Sequence, residues 1–284
     1  MKKIVLFGVK GLLGGELKRQ SPSDIQLRGY DRQVDITQPL EISKILQNDK
    51  PDWVINAAAY NQVDQAQNES ALAYQVNSEG PATIAKECSR WKIPFIHFST
   101  DYVFSGLQER AYREDDAPSP LSEYARSKFK GEEAVRSHPL HYILRVTTLY
   151  GEGRSNPASR VIAALKDSKP IKLVVDLFGS PTYVGDLAKW IFALIEKKPK
   201  YGTYHLAHTG YCSRYEFSKA LGKKLVGKEL SLLEPVGLKD LGLAAPRPAK
   251  PLLDTSKWER EVCPLLPWQE GLNNFLSTIK DKLI

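Results

Sequence analysis

The sequence predicts an α/β protein whose core is a doubly wound parallel sheet. In residues 1–150, short runs rich in β-branched and apolar residues alternate with longer amphipathic runs. Strands that alternate with helices in this way are typical of a parallel sheet with helices on both faces. The strand runs are also almost wholly apolar, as strands covered on both faces must be.

Each predicted element can be located on the chain. We expect strands at residues 3–7, 25–29, 53–56, 93–98 and 142–145. We expect helices at residues 12–19, 40–48, 71–91 and 123–137, where the runs are longer and amphipathic. Together these elements predict a first domain over residues 1–150.

The alternation becomes less regular after Gly151, where prolines are frequent and the strand-like runs are short. We predict a second, smaller α/β lobe over residues 151–284. One amphipathic helix within it, near residues 184–197, is expected to pack back on the first domain.

The composition is that of a soluble globular protein. Hydrophobic residues make up 42% of the 284 residues and charged residues 26%, which is ordinary for such a protein. No apolar run approaches the roughly 20 residues that a membrane span needs. The apolar run at residues 4–7 is too short for a signal peptide. We therefore expect a cytoplasmic protein with no membrane partner.

Charge and cysteine content narrow the possible ligands. The net charge is +7, but the Lys and Arg residues are scattered along the chain. We therefore expect no nucleic-acid partner, although a basic protein can attract phosphate-bearing ligands. Cys88, Cys212 and Cys263 show neither disulfide nor metal-ligand spacing, and no histidines form a ligand-spaced pair. The sequence predicts no metal site.

A glycine-rich turn follows the first predicted strand and opens the first helix. Gly8 would allow a tight turn, Gly11 would let the backbone approach a pyrophosphate, and Gly14 would let the helix lie close to the sheet. The helix N-terminus then offers free amides and a positive dipole end to the phosphates. Glycine turns also occur for structural reasons alone, but this position between strand and helix favours dinucleotide binding and a Rossmann-type sheet.

The second predicted strand ends in two residues that favour different cofactors. Asp31 is placed to accept hydrogen bonds from the adenosine ribose, which favours NAD. Arg32 is equally placed to hold a 2′-phosphate, so NADH and NADPH both stay open. Further along, Asp35 is explained equally well as the cap of a turn. The small residues at 57–59 would leave room for a bound cofactor.

The fourth predicted strand and a later helix carry the residues of an acid–base site. Ser99 and Thr100 end the strand, at the sheet edge where open parallel sheets bind ligands. Tyr124 and Lys128 are one helical turn apart and share a face. A neighbouring ammonium favours a phenolate and lowers the pKa of the phenol. Thr100 could hold a carbonyl oxygen between itself and that phenol.

These motifs, in this order, resemble the dTDP-4-dehydrorhamnose reductase family of the extended short-chain dehydrogenase/reductases. The resemblance covers nearly the whole chain, and its carboxy-terminal marks are specific to the family. In the first half the further marks are Asp35-Ile36-Thr37, Asn56-Ala57-Ala58-Ala59-Tyr60, Val63-Asp64, Val76-Asn77, Ser99-Thr100-Asp101-Tyr102-Val103-Phe104, Arg145-Val146 and Tyr150-Gly151. In the second half they are Gly179-Ser180-Pro181-Thr182, Gly202-Thr203-Tyr204-His205-Leu206, Cys212-Ser213-Arg214-Tyr215-Glu216-Phe217, Arg247-Pro248, Leu253-Asp254 and Pro267-Trp268-Gln269-Glu270-Gly271-Leu272.

The resemblance implies an activity and roles for named residues. NADPH or NADH would reduce the 4-keto carbon of a nucleotide-diphosphate-linked 6-deoxyhexose, with Thr100, Tyr124 and Lys128 catalytic and neutral Tyr124 as the acid. The implied cofactor-binding residues are Gly8, Lys10, Gly11, Leu12, Leu13, Gly14, Asp31, Arg32, Asp35, Ile36, Ala57, Ala58, Ala59, Tyr60, Asn77, Tyr124 and Lys128. The implied substrate-binding residues are Ser99, Thr100, Asp101, Tyr102, Val103, Phe104 and Arg247. The family further implies a homodimer and, for some members, magnesium.

Several residues depart from the family pattern in regions expected to face the substrate. Arg214 stands where a Trp is usual, and Lys250 with Pro251 where Asn-Ser is usual. The sugar and its carrier nucleotide therefore stay open, and a related reductase for another nucleotide sugar is one alternative. A cofactor-binding regulatory subunit with little turnover is another, although the intact catalytic set argues against it. A dehydratase would carry an Asp-Glu pair after the strand-end Thr, where this chain has Asp101-Tyr102.

Overall fold

The computed structural model describes residues 1–227 and 231–283. The strands are β1 (Lys2–Phe7), β2 (Ile25–Tyr30), β3 (Trp53–Asn56), β4 (Phe95–Thr100), β5 (His141–Val146), β6 (Leu149–Tyr150), β7 (Ile171–Val174), β8 (Phe178–Gly179), β9 (Thr182–Tyr183), β10 (Gly202–His205), β11 (Cys212–Ser213) and β12 (Leu233–Val236). The helices are α1 (Leu12–Arg19), α2 (Pro39–Asp49), α3 (Ser70–Tyr74), α4 (Gly80–Trp91), α5 (Glu123–Val135), α6 (Pro157–Lys166), α7 (Val184–Lys197), α8 (Arg214–Val226), α9 (Ser256–Glu261) and α10 (Trp268–Leu283).

Six strands form one parallel sheet in the order β2-β1-β3-β4-β5-β10. From β1 the chain first builds outward to β2 and then crosses to β3 on the other side. Open parallel sheets bind ligands at the carboxyl ends of the strands beside such a reversal. The predicted doubly wound sheet is confirmed.

Alternate residues of β1 face two different layers of helices. Ile4 and Leu6 belong to a hydrophobic cluster that includes residues of α1 and α7. Val5 and Phe7 belong to a second cluster, with residues of α2, α4 and α5. The sheet is therefore covered on both faces, which explains why its inner strands are apolar throughout.

The helix predicted over residues 71–91 is interrupted, and that prediction is wrong in this respect. A π-helical turn over Gln75–Glu79 separates α3 from α4. Pro81 has no N–H to donate to the carbonyl of Asn77, four residues earlier, so a regular α-helical bond is lost there. A Cβ on Gly131 of α5 would collide with that same Asn77 carbonyl oxygen, so the interruption lies in close contact with α5.

The second half of the chain adds elements to the sheet and builds several small ones. Strand β10 extends the main sheet beside β5, and α7 packs against α1. Three two-stranded sheets pair β6 with β9, β7 with β12, and β8 with β11. The existence of two separate domains divided near residue 150 stays a prediction.

Two further properties of the described part of the chain concern membrane spans and free thiols. None of its helices is both long enough and apolar enough to cross a membrane. Cys88 and Cys212 are buried free thiols, whereas Cys263 is a free thiol that is partly exposed.

Candidate active site

The turn between β1 and α1 is built so closely that it requires glycine. Gly8 has a φ of 81°, a conformation that other residues rarely adopt. A Cβ on Gly8 would lie 2.5 Å from the backbone nitrogen of Ala58, and one on Gly14 would collide with the carbonyl oxygen of Gly8. The helix therefore lies directly against the turn, and the turn directly against the chain that leaves β3.

The N-terminus of α1 is left without a side-chain cap. Gly11 is the N-cap residue, in an extended conformation, and it has no side chain to accept from the first helical amides. Leu12 and Leu13 direct their side chains into the core of the sheet, whereas the Lys10 side chain is exposed. Uncapped amides at a helix N-terminus can bind a phosphate group, and a glycine at the N-cap lets the phosphate approach them closely.

Asp31 and Arg32 lie beside this turn, at the carboxyl end of β2. The Asp31 carboxylate accepts hydrogen bonds from the backbone amide of Lys10 at 2.7 Å and from that of Arg32 at 2.9 Å. These bonds hold the carboxylate next to the glycine turn, while the Arg32 side chain is exposed. A contact of either residue with the adenosine ribose of a cofactor stays a prediction.

Three other predicted cofactor residues make contacts within the protein. Asp35 accepts from the amide and the hydroxyl of Thr37, which lowers the pKa of its carboxyl. Ile36 is buried against α4. Asn77 accepts from the amide of Tyr60 at 2.8 Å and donates to its carbonyl at 3.0 Å. Asn77 thereby holds the chain just after the half-buried residues Ala57, Ala58 and Ala59.

Thr100 and Tyr124 are brought together by β4 and α5. Thr100 is the last residue of β4 and is 6% exposed. Helix α5 begins after Ser122, whose hydroxyl caps the amide of Ala125, so Tyr124 lies in the first turn and is half-buried. Hydrogen bonding to Thr100 lowers the pKa of Tyr124, but burial raises it more, so the net pKa lies above its usual value.

Lys128 lies one turn further along α5, and it is 3% exposed. Its Nζ donates to the carbonyl oxygen of Phe98 at 2.6 Å. Burial lowers the pKa of Lys128 to about 8, with the nearby Glu132 opposing the shift. The sequence predicted an ammonium that lowers the pKa of Tyr124. In the structure burial instead keeps Tyr124 protonated, and the ammonium is bonded to the backbone of β4.

The residues that follow Thr100 divide between the crevice and the core. Asp101 is buried, and burial raises the pKa of its carboxyl to about 7. Tyr102 packs edge-on against the Tyr124 ring, with 6.3 Å between ring centroids. Val103 and Phe104 are buried in a hydrophobic cluster. Ser99 Oγ, also buried, has no hydrogen-bond partner among the described residues.

Arg214, at the start of α8, approaches this crevice from the second half of the chain. Its guanidinium lowers the pKa of the Asp101 carboxyl by its charge. Its charge and hydrogen bonding also lower the pKa of Tyr102, although burial raises that pKa overall. Sequence reasoning noted Arg214 only as a departure from the family pattern. Its position after Ser213, which caps α8, gave no sign that its charge would act on Asp101.

Arg247 and Asp64 form a bidentate ion pair. Both terminal nitrogens of Arg247 lie 2.6 Å from carboxylate oxygens of Asp64. Asp64 also accepts from the backbone amide of Ala245 at 3.0 Å. The pair joins the segment around Arg247 to the first half of the chain and places its charge near Tyr102. A direct contact with a substrate phosphate stays a prediction.

A buried ion pair fixes the helix that carries Tyr124 and Lys128. Glu132 of α5 accepts from Nε of Arg145 at 2.9 Å and from its terminal nitrogen at 2.8 Å. Arg145 lies on β5, the strand beside β4. Glu and Arg are almost never fully buried unless they are paired. No motif in the sequence pointed to this pairing.

Comparison with known proteins places the chain in a family. Residues 1–280 match the family described as the RmlD substrate binding domain. The chain is 34% identical over 283 residues to the spore coat polysaccharide biosynthesis protein SpsK of Bacillus subtilis, covering 97% of each. It is 33% identical over 285 residues to the dTDP-4-dehydrorhamnose reductase of Mycolicibacterium smegmatis, covering 98% of this chain and 86% of that protein. The crystal structure of dTDP-4-dehydrorhamnose reductase from Bacillus anthracis in complex with NADP has a TM-score of 0.93 and 33% identity, covering 98% of this chain and 100% of that one.

The fold and the site together define an NAD(P)H-dependent oxidoreductase of the extended short-chain dehydrogenase/reductase class. Within that class, the chain belongs to the RmlD substrate binding domain family, whose members include the dTDP-4-dehydrorhamnose reductases. The family that the sequence motifs predicted is confirmed.

Proposed function

We propose that the protein reduces the 4-keto group of a nucleotide-diphosphate-linked 6-deoxyhexose, with dTDP-4-dehydrorhamnose as substrate and dTDP-L-rhamnose as product. The observation that carries the proposal is the contact between the Tyr124 phenol and the Thr100 hydroxyl at the carboxyl end of β4. Two hydroxyls at that edge can share one carbonyl oxygen. The names of the relatives support a role in surface polysaccharide synthesis, and we expect a cytoplasmic homodimer.

The glycine turn fits a dinucleotide, because the first amides of α1 have no side-chain cap and Gly11 places no Cβ beside them. Free amides at a helix N-terminus can bind a phosphate. When bound, a reduced nicotinamide supplies the hydride. Both NADPH and NADH remain candidates, since Asp31 and Arg32 lie side by side at the turn. The described residues contain no cluster of three or more His, Cys, Asp or Glu side chains suited to a metal ion, so we assign no residue to magnesium.

Tyr124 holds the proton that the new hydroxyl group requires. Burial keeps its phenol neutral at physiological pH, so a proton is available when the carbonyl oxygen becomes basic. Thr100 orients that oxygen by donating a second hydrogen bond. Lys128 is mostly an ammonium at neutral pH, since its pKa of about 8 lies above 7. Its charge would stabilise the phenolate that remains after proton transfer.

The decisive experiment replaces Tyr124 with Phe. The ring still packs but the acid is lost, so kcat should fall by about 10²–10⁴-fold on the true substrate, while NAD(P)H affinity barely changes. Tyr201→Phe is a matched control, because Tyr201 packs against Tyr142 at the opposite end of β5 and should keep normal turnover. A Tyr124→Phe enzyme with near-normal turnover would refute the mechanism.

A related reductase for another nucleotide sugar is the second candidate. The observation that favours it is Arg214, which puts a cation beside Asp101 and Tyr102 in the crevice. A panel of nucleotide-linked 4-keto sugars, compared by kcat/KM, separates the two candidates. A protein that binds NAD(P)H tightly but reduces none of them would instead support a regulatory subunit.

A further inference from the structure

The buried carboxyl of Asp101 is linked to Tyr124 through one hydroxyl group. Thr100 Oγ1 lies 3.0 Å from Oδ1 of Asp101. The same hydroxyl interacts with the Tyr124 phenol, whose pKa it lowers. It also accepts a hydrogen bond from the backbone amide of Tyr102 at 3.2 Å. Thr100 therefore stands between a carboxyl on its own strand end and the phenol on α5.

The bonding capacity of the Thr100 hydroxyl makes its direction depend on Asp101. A hydroxyl has one hydrogen to donate and two lone pairs to accept with. The Tyr102 amide occupies one lone pair. If Asp101 is ionised, the hydrogen of Thr100 is drawn to the carboxylate. If Asp101 is neutral, its own O–H can occupy the second lone pair, and the Thr100 hydrogen then points to Tyr124.

Burial and charge act on Asp101 in opposite directions. Asp101 is only 4% exposed. Burial raises the pKa of its carboxyl to about 7, although the charge of Arg214 lowers that pKa. The other titratable groups that face this site are Tyr102 and Tyr124, with Arg247 beyond Tyr102. A substantial share of Asp101 is therefore protonated at neutral pH. Because the pKa of Tyr124 is higher, a proton moves downhill from Asp101 to a Tyr124 phenolate.

We propose that Asp101 returns a proton to Tyr124 after each turnover, through the hydroxyl of Thr100. The O–H bond of Asp101 breaks as its proton joins Thr100 Oγ1, and the original O–H bond of Thr100 breaks as that hydrogen joins the phenolate oxygen. Tyr124 is then neutral, Thr100 is unchanged, and Asp101 is ionised until it takes a proton from solvent. This inference rests on the proposed function of Tyr124 as the acid.

Asp101→Asn tests the step, because an amide can still donate to Thr100 but has no proton to release. The first turnover starts with a protonated Tyr124, so the single-turnover rate of NAD(P)H oxidation should fall far less than steady-state kcat. Steady-state kcat should fall at least about tenfold. Asp101 is neutral only below its pKa, so wild-type kcat should decline as pH rises through about 7, and the variant should lack that decline. Asp115→Asn, at an exposed carboxylate, should change neither.

Arg214 provides a second and independent perturbation. Arg214→Met removes the cation that opposes the raised pKa, so the decline in kcat should move to higher pH, whereas Arg214→Lys should leave it near the wild-type position. Carboxyl ¹³C NMR of the substrate-free protein should show Asp101 titrating near neutral pH. An unchanged pH profile in Asp101→Asn, or an Asp101 already ionised throughout the neutral range, would overturn the inference. The NMR result does not depend on the sugar, so it separates this failure from a failure of the proposed function.

Discussion

The buried pair between Glu132 and Arg145 predicts a large loss of stability in Glu132→Gln. The two side chains are 0% and 1% exposed, and two hydrogen bonds of 2.9 and 2.8 Å join them. The substitution leaves the guanidinium buried without its counter-ion. Breaking a buried pair in this way typically costs about 3–5 kcal/mol.

The remaining contacts of Arg145 place the expected cost near the lower end of that range. One terminal nitrogen lies 3.4 Å from the carbonyl oxygen of Glu114, and the guanidinium lies 4.9 Å from the centroid of the Phe104 ring. The new amide can also accept one hydrogen bond from Arg145. We expect a loss of about 3 kcal/mol in the free energy of unfolding, or about 150-fold in the ratio of folded to unfolded protein.

Urea unfolding followed by circular dichroism measures this loss directly. Glu133→Gln is the matched control, because Glu133 is the next residue on the same helix and pairs with Lys130 at 2.8 Å in an exposed position. Its loss should stay within about 0.5 kcal/mol. If Glu132→Gln differed from the wild type by less than about 1 kcal/mol, the buried pair would not be what holds α5 against β5.

Three further predictions concern the ligands. Gly11→Val should weaken NAD(P)H binding more than tenfold, about 1.4 kcal/mol, because the valine side chain would crowd the uncapped amides of α1. Unchanged affinity by calorimetry in a folded variant would contradict the assignment of Gly11 to cofactor binding. Asp31→Ala should shift the ratio of kcat/KM values towards NADPH by relieving repulsion of the 2′-phosphate, and Arg32→Ala should shift it towards NADH; constant ratios would show that neither residue contacts the ribose. Arg247→Ala should raise KM for the sugar nucleotide more than KM for the cofactor. Asp64→Asn should act in the same direction, because Asp64 orients Arg247. Equal changes in both constants would argue against a phosphate contact.

The sequence by itself determined those features that depend on neighbouring residues. The apolar runs predicted the buried strands, and the spacing of Gly8, Gly11 and Gly14 predicted a turn that the structure builds with no room for a side chain at Gly8 or Gly14. The one-turn spacing of Tyr124 and Lys128 predicted their common helix. Such patterns can be recognised because strand alternation, helix periodicity and tight turns are properties of a few consecutive residues.

Only the tertiary structure decided which distant side chains meet and how burial changes their chemistry. Arg247 and Asp64 are 183 positions apart in the chain, and no local pattern connects them. The opposing effects of burial and Arg214 on Asp101, and the bond from Lys128 to the backbone of β4, likewise depend on packing between separate elements. A pKa is set by the loss of water and by charges close in space, and a linear sequence specifies neither until the chain has folded.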